Sequence, residues 1–219
     1  MAAFEQAMND GADGVELDLR LCRDGEVVVF HDADLKRLST QRDRISSLRL
    51  HELKQVRLND GQSIPTLVEC LELLETRQAL VNLELKADGN NGRKLAEAVL
   101  DICHKRKATH QTRFLFSSFA LSIVRYLKKH SPIKSAYLID DAYWGKLRMQ
   151  GVARLCNIDA LHPKHNLIDS TSAALLQSRG TLLNVWTVDH PQDLRRCDEA
   201  GVDAIITNNI TKARETLEK

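Results

Sequence analysis

Hydrophobic and polar positions alternate with a period of two in short segments of this chain, and segments of helical period separate them. In Gly14-Val-Glu-Leu-Asp-Leu-Arg20, a strand puts Val15, Leu17 and Leu19 on one face and Glu16, Asp18 and Arg20 on the other. Leu83-Glu-Leu-Lys86 repeats the pattern, with Glu84 and Lys86 sharing a face. The alternation predicts strands over Val15–Arg20, Val27–Phe30, Leu80–Lys86, Arg113–Ser117, Lys134–Ile139, Ile158–His162, Thr181–Asp189 and Asp203–Thr207. Helices are predicted over Ala2–Asp10, from Pro65-Thr66-Leu67 to about Arg77, and over Gly92–Lys105 and Ala120–His130. Further helices are predicted over Asp141–Gln150, Ser170–Ser178, Pro191–Ala200 and Thr211–Glu218. Pro65 suits an early helical position, where its missing N–H costs nothing. Asp169 and Ser170 are cap candidates, and Arg23-Asp-Gly-Glu26 reads as a turn.

Strands that alternate with helices imply βαβ units and a mainly parallel sheet. A doubly wound sheet and a (β/α)8 barrel both satisfy that pattern. Seven strands are followed by helices, so a barrel is one strand short, and the absent strand precedes residue 1. No repeat, low-complexity tract or linker divides the chain, and 1–219 is read as a single domain.

Composition narrows the class. With 219 residues, 43% of them hydrophobic and 28% charged, the chain can bury a sizeable core. A formal net charge of +1 argues against a nucleic-acid surface. The basic run His104-Lys-Arg-Lys107 is local and falls at a helix end. No apolar run reaches the roughly 18 residues that span a bilayer. Met1-Ala-Ala-Phe-Glu-Gln6 does not read as a signal peptide. Five scattered cysteines, without a Cys-x-x-Cys pair, suit reduced core thiols in a cytoplasmic protein.

Polar residues gather on the strands. Two carboxylates on one strand face are costly to bury without a compensating cation. Glu16, Asp18 and Glu84 offer the hard oxygen donors that Mg²⁺ or Ca²⁺ prefer. Lys86 and Lys164 suit an anion as point charges, and His31 suits proton transfer near neutral pH. Plainer readings exist: an antiparallel strand with one wet face for the Glu16–Asp18 pair, a structural ion pair for Glu84 and Lys86, and core packing for Trp186. The convergence of polar strand ends in one architecture favours metal-assisted chemistry on a phosphate-like anion.

The series Phe4-Glu-Gln-Ala, Gly11–Arg20, Asp24-Gly25, Val28-Val-Phe-His-Asp32, Ile64-Pro-Thr-Leu, Leu83-Glu-Leu-Lys86, Ser118-Phe119, Val185-Trp-Thr-Val-Asp189 and Gly201–Thr207 resembles the glycerophosphodiester phosphodiesterase family. The resemblance implies a (β/α)8 TIM barrel that uses Ca²⁺ or Mg²⁺ to hydrolyse small glycerophosphodiesters of lipid and glycerol metabolism to an alcohol and glycerol 3-phosphate. It makes Glu16, Asp18 and Glu84 metal ligands and His31 the general acid for the leaving alkoxide. Lys86 becomes a basic residue near the phosphate and Trp186 a wall of the glycerol pocket. The family's opening strand, with its His-Arg-Gly and the following Glu-Asn-Thr, has no counterpart before Phe4. The expectation is that Met1 is an internal methionine of an ordinary diesterase, and that residues 1–219 alone hydrolyse poorly or not at all. The alternatives are a barrel remnant that binds metal or phosphoesters without turnover, and a related barrel acting on another phosphodiester. His162 and His165 are the nearest chemical substitutes for the absent histidine. Asn208-Asn209 stands where the family usually has Asp followed soon by Pro. Open strand edges would also admit a second copy of the chain.

Overall fold

The structure, a computed structural model, describes residues 1–106, 113–140, 149, 151–152, 156 and 158–218. It contains two compact units, one of residues 1–8 and 13–115 and one of residues 9–12 and 116–219. Apart from Met149, the helix expected over Asp141–Gln150 lies outside the described residues.

The first unit takes in α1 (Ala2–Asn9) up to Met8, then β1 (Gly14–Leu21), β2 (Val27–Val29), α2 (Leu50–Gln55), α3 (Leu67–Glu75), β3 (Leu80–Leu85) and α4 (Gly92–Lys105). Its strand order is β2-β1-β3. β1 and β2 form an antiparallel hairpin with Leu19 opposite Val29. A three-residue turn closes it, in which Cys22 N–H donates to Glu26 O at 3.0 Å and Gly25 takes φ +90°, a conformation glycine adopts without strain. On its other edge β1 runs parallel to β3, with Glu16 beside Asn82 and Asp18 beside Glu84. Gly14 stands against Leu80, where a β-carbon would collide with the Leu80 carbonyl.

The stretch between β2 and α3 carries little alternation, yet it supplies Leu35, Ile45, Leu53, Val56 and Ile64 to a buried cluster with Cys22, Val28 and Phe30. α2 and a 3₁₀ turn at Ile45–Ser47 sit in this stretch, where the hydrophobic pattern predicts no element. Pro65 precedes α3 instead of opening it. Its carbonyl accepts from Val29 N–H at 2.9 Å, and Thr66 caps the helix in a reciprocal box with Glu69.

The second unit contains β4 (Arg113–Ser118) from Phe116 onward, α5 (Leu121–His130), β5 (Ser135–Ile139), β6 (Ala160–Pro163), α6 (Ser170–Gln177), β7 (Leu182–Val185), α7 (Pro191–Glu199), β8 (Ala204–Ile205) and α8 (Ile210–Leu217). Each strand runs parallel to the next in the order β4-β5-β6-β7-β8. Tyr137, Ile139, Leu161, Leu183 and Val185 face helix residues Val124, Ala173, Leu176, Leu194 and Ala213 in one core. Asp169 caps α6, accepting from Ser172 N–H at 2.8 Å. No helix among the described residues is long and apolar enough to cross a membrane.

Candidate metal and phosphate site

The parallel register brings three carboxylates together. Asp18 and Glu84 are paired neighbours on β1 and β3, and Glu16 lies two residues before Asp18 on the same face. One oxygen from each of Glu16, Asp18 and Glu84 lies within 4.8 Å of the others. Like charges side by side across a ladder weaken a sheet, so a cluster retained at this spot points to a counter-charge. Lys86, one residue beyond β3, supplies part of it, with Nζ 3.1 Å from Asp18 and 3.0 Å from Glu84. Backbone bonding fixes this arrangement, since Lys86 N–H donates to Leu19 O at 3.0 Å.

One ammonium does not balance three carboxylates. Burial, followed by repulsion from Asp18 and Glu84, holds the Glu16 carboxyl well above the usual range against the pull of Lys86. Burial also raises Glu84, opposed by Lys86. For Lys86 burial acts downward, but Glu84 and Asp18 outweigh it and raise the ammonium. Glu16 Oε1 is buried without a hydrogen-bond partner among the described residues. Three hard oxygen donors, with Glu16 Oε1 orphaned and the Glu16 and Glu84 carboxyls both raised by burial, fit a divalent cation.

His31 lies two residues beyond β2 and belongs to the same unit. Phe30 N–H donates to Asp18 O at 2.9 Å, tying the residue before His31 to the acidic strand, and the His31 ring acts electrostatically on Glu84. Nδ1 of His31 is 2.7 Å from Asp32 Oδ1. A carboxylate only accepts, so Nδ1 carries the proton and Nε2 is left to exchange one with a substrate. Arg37 holds Asp32 with two bonds, at 2.7 and 3.2 Å, and brings its carboxyl down to about 2. Sequence reasoning assigned nothing to Asp32 or Arg37, although Asp32 stands next to the histidine in the quoted motif.

Trp186 lies in the second unit, one residue beyond β7. Its indole N–H donates to His162 O at 2.6 Å, and its ring meets Phe119 edge-on at 5.5 Å. The two histidines considered as substitutes both lie in the second unit. His162 is fully buried, its Nε2 2.9 Å from Asn184 Nδ2, and burial drives it down to about 3. His165 Nδ1 is 3.0 Å from Arg196 and 3.5 Å from Asp193. The Asn208 departure has a local role: its N–H and Nδ2, with Thr207 Oγ1, donate to Asp189 at 2.8 to 2.9 Å.

Parallel strands alternating with helices, with an acidic cluster on neighbouring strands of the first unit and a histidine in the same unit, define an α/β protein with a candidate cation site. The sequence profile of the Glycerophosphoryl diester phosphodiesterase family matches residues 1–212, so the chain belongs to that family of phosphoric diester hydrolases. A glycerophosphodiester phosphodiesterase of Caldanaerobacter subterraneus subsp. tengcongensis is 31% identical over 95% of this chain and 87% of its own length. The crystal structure of the Thermotoga maritima glycerophosphodiester phosphodiesterase superposes with a TM-score of 0.77 at 33% identity, covering 96% of this chain and 88% of that one. An Oleispira antarctica phosphodiesterase, solved with the product sn-glycerol-3-phosphate, gives a TM-score of 0.87 at 24% identity over 100% and 90%. The α/β architecture is thus that of the solved family members.

Proposed function

We propose that this protein hydrolyses glycerophosphodiesters to an alcohol and glycerol 3-phosphate, using a divalent cation held by Glu16, Asp18 and Glu84. The observation that carries the proposal is the meeting of these three carboxylates within 4.8 Å on β1 and β3. A bound Mg²⁺ or Ca²⁺ would supply charge neutralisation and Lewis acidity at the phosphoryl and glycerol oxygens. Lys86 has three N–H donors; two face Asp18 and Glu84, leaving the third for a phosphate oxygen. Protonated His31 donates from Nε2 to the departing alkoxide while Asp32 holds Nδ1. The profile match over residues 1–212 supports reading the chain as one catalytic domain of this family.

The test is turnover of glycerophosphocholine by residues 1–219, with glycerol 3-phosphate and choline assayed separately. We expect slow release that a chelator stops and Mg²⁺ or Ca²⁺ restores; fast release would refute the expectation that residues 1–219 alone hydrolyse poorly. His31→Ala should lower kcat on the order of 10²- to 10⁴-fold, and Asp18→Ala should abolish the cation dependence. Cation binding without turnover would make the chain a binder of metal or phosphoesters, and release that ignores the chelator would remove the cation from the reading.

A further inference from the structure

We infer that Arg20 and Asp88 form a positioning pair that fixes His31 through its main chain; the inference rests on the general-acid reading of His31. Arg20 stands on the same strand face as Glu16 and Asp18 but is enclosed, with 7% of its surface exposed. A buried guanidinium needs partners for its forked N–H groups, and here the partners are specific. Nε and Nη2 both donate to His31 O, at 3.1 and 2.7 Å, and Nη1 donates to Asp88 Oδ1 at 2.9 Å. Asp88 lies between β3 and α4 and is itself held, its N–H donating to Asn91 Oδ1 at 2.7 Å. Arg44 adds a second guanidinium at 3.3 Å from the same Asp88 oxygen.

This network does for His31 what packing does not. The hairpin ladder ends at Val29, the last strand bond reaches Phe30, and the His31 side chain is 61% exposed. An exposed ring has no wall to hold it, so its position depends on Asp32 at one nitrogen and on its own backbone. Arg20 anchors that backbone with two bonds from one plane, and Asp88 fixes the plane. Lysine would keep the charge toward Asp88 but lose the fork. The pair joins His31, two residues past β2, to the loop that follows β3, and so ties the acid to the strands that carry the carboxylates.

The test compares two diesters in the full chain, glycerophosphocholine and glycerol 4-nitrophenyl phosphate. Choline leaves as an alkoxide that needs a proton, whereas nitrophenolate leaves without one. We expect Arg20→Met to lower kcat for the choline ester on the order of 10- to 100-fold with KM unchanged, and to leave the nitrophenyl ester nearly untouched. Asp88→Asn should act in the same direction, and the double variant should be no worse than Arg20→Met, as expected for one coupled unit. An equal loss on both esters, or no loss on either, overturns the inference. His31→Ala run alongside separates the two readings: if it fails to discriminate between the esters, the general-acid role fails whatever Arg20 does. A readout independent of turnover is the His31 Cε1–H resonance, identified by its loss in His31→Ala. It should broaden or split in Arg20→Met, and also in Arg20→Lys should the methionine variant not fold; an unchanged signal in a folded variant counts against the pair.

Discussion

Burial strips His162 of its ordinary proton affinity. The ring is enclosed, Nε2 faces Asn184 and Nδ1 meets no partner among the described residues, so the group titrates at about 3 instead of 6.5. At pH values between these the unfolded chain binds a proton that the folded chain refuses, and stability therefore rises with pH. The contribution is whole above 6.5 and is lost as pH falls toward 3, at about 1.4 kcal/mol per pH unit. Raised Glu16 and Glu84 act with the opposite sign over part of that range, so the measurement is a comparison. Urea unfolding of wild type and His162→Gln between about pH 6 and pH 4 should show a stability slope in the wild type that flattens in the variant. Equal slopes would mean that the ring reaches water. The sequence placed this histidine at a strand end, yet whether such an end meets solvent or core depends on neighbouring strands. The same limit hid Arg20, whose face was readable but whose partner Asp88 lies 68 residues away. Glu16, Asp18 and Glu84 were readable because two identical alternations put carboxylates on strand faces, and the parallel register then aligned them.

Elements with a strong period were legible at nearly their full length. α4 matches its expected span, and α5 differs only in that Ala120 serves as its cap. β7 is shorter than its alternation suggests, because beyond Leu183 its ladder with β6 dwindles to a single bridge between Lys164 and Trp186. α2 escaped notice since six residues with one buried leucine carry no readable period. Pro65 was misplaced by one element boundary: the cap at Thr66 and the bond from Val29 decide where α3 starts, and both need residues distant in sequence. Gly14 gives a test at this scale. Its backbone approaches β3 so closely that any side chain must displace the Leu80 carbonyl and the start of the β1–β3 ladder. Gly14→Ala should cost about 2 kcal/mol or more, since the obstacle is backbone and not a flexible side chain. Chemical denaturation measures it, and a variant as stable as the parent would show that the ladder can open there.

At the scale of the molecule, the cluster of three carboxylates served by Lys86 is confined to the first unit. A ligand that binds the folded chain and not the unfolded one stabilises it by mass action, by about 2.7 kcal/mol at a hundred times its dissociation constant. In a chain of this size each kcal/mol corresponds to roughly 2–4 °C in Tm. Saturating Mg²⁺ or Ca²⁺ should therefore raise Tm by several degrees in the wild type, and Glu16→Ala or Asp18→Ala should remove the increase. Sodium at matched ionic strength should not reproduce it, because screening acts weakly on partly buried groups. The gain should also be local before it is global. Hydrogen exchange should slow first along β1 and β3, whose paired backbones carry all three carboxylates, while β5, β6 and β7 respond only to the change in overall stability. A uniform slowing, or a Tm increase that survives Asp18→Ala, would place the cation elsewhere and leave the acidic cluster to Lys86 alone.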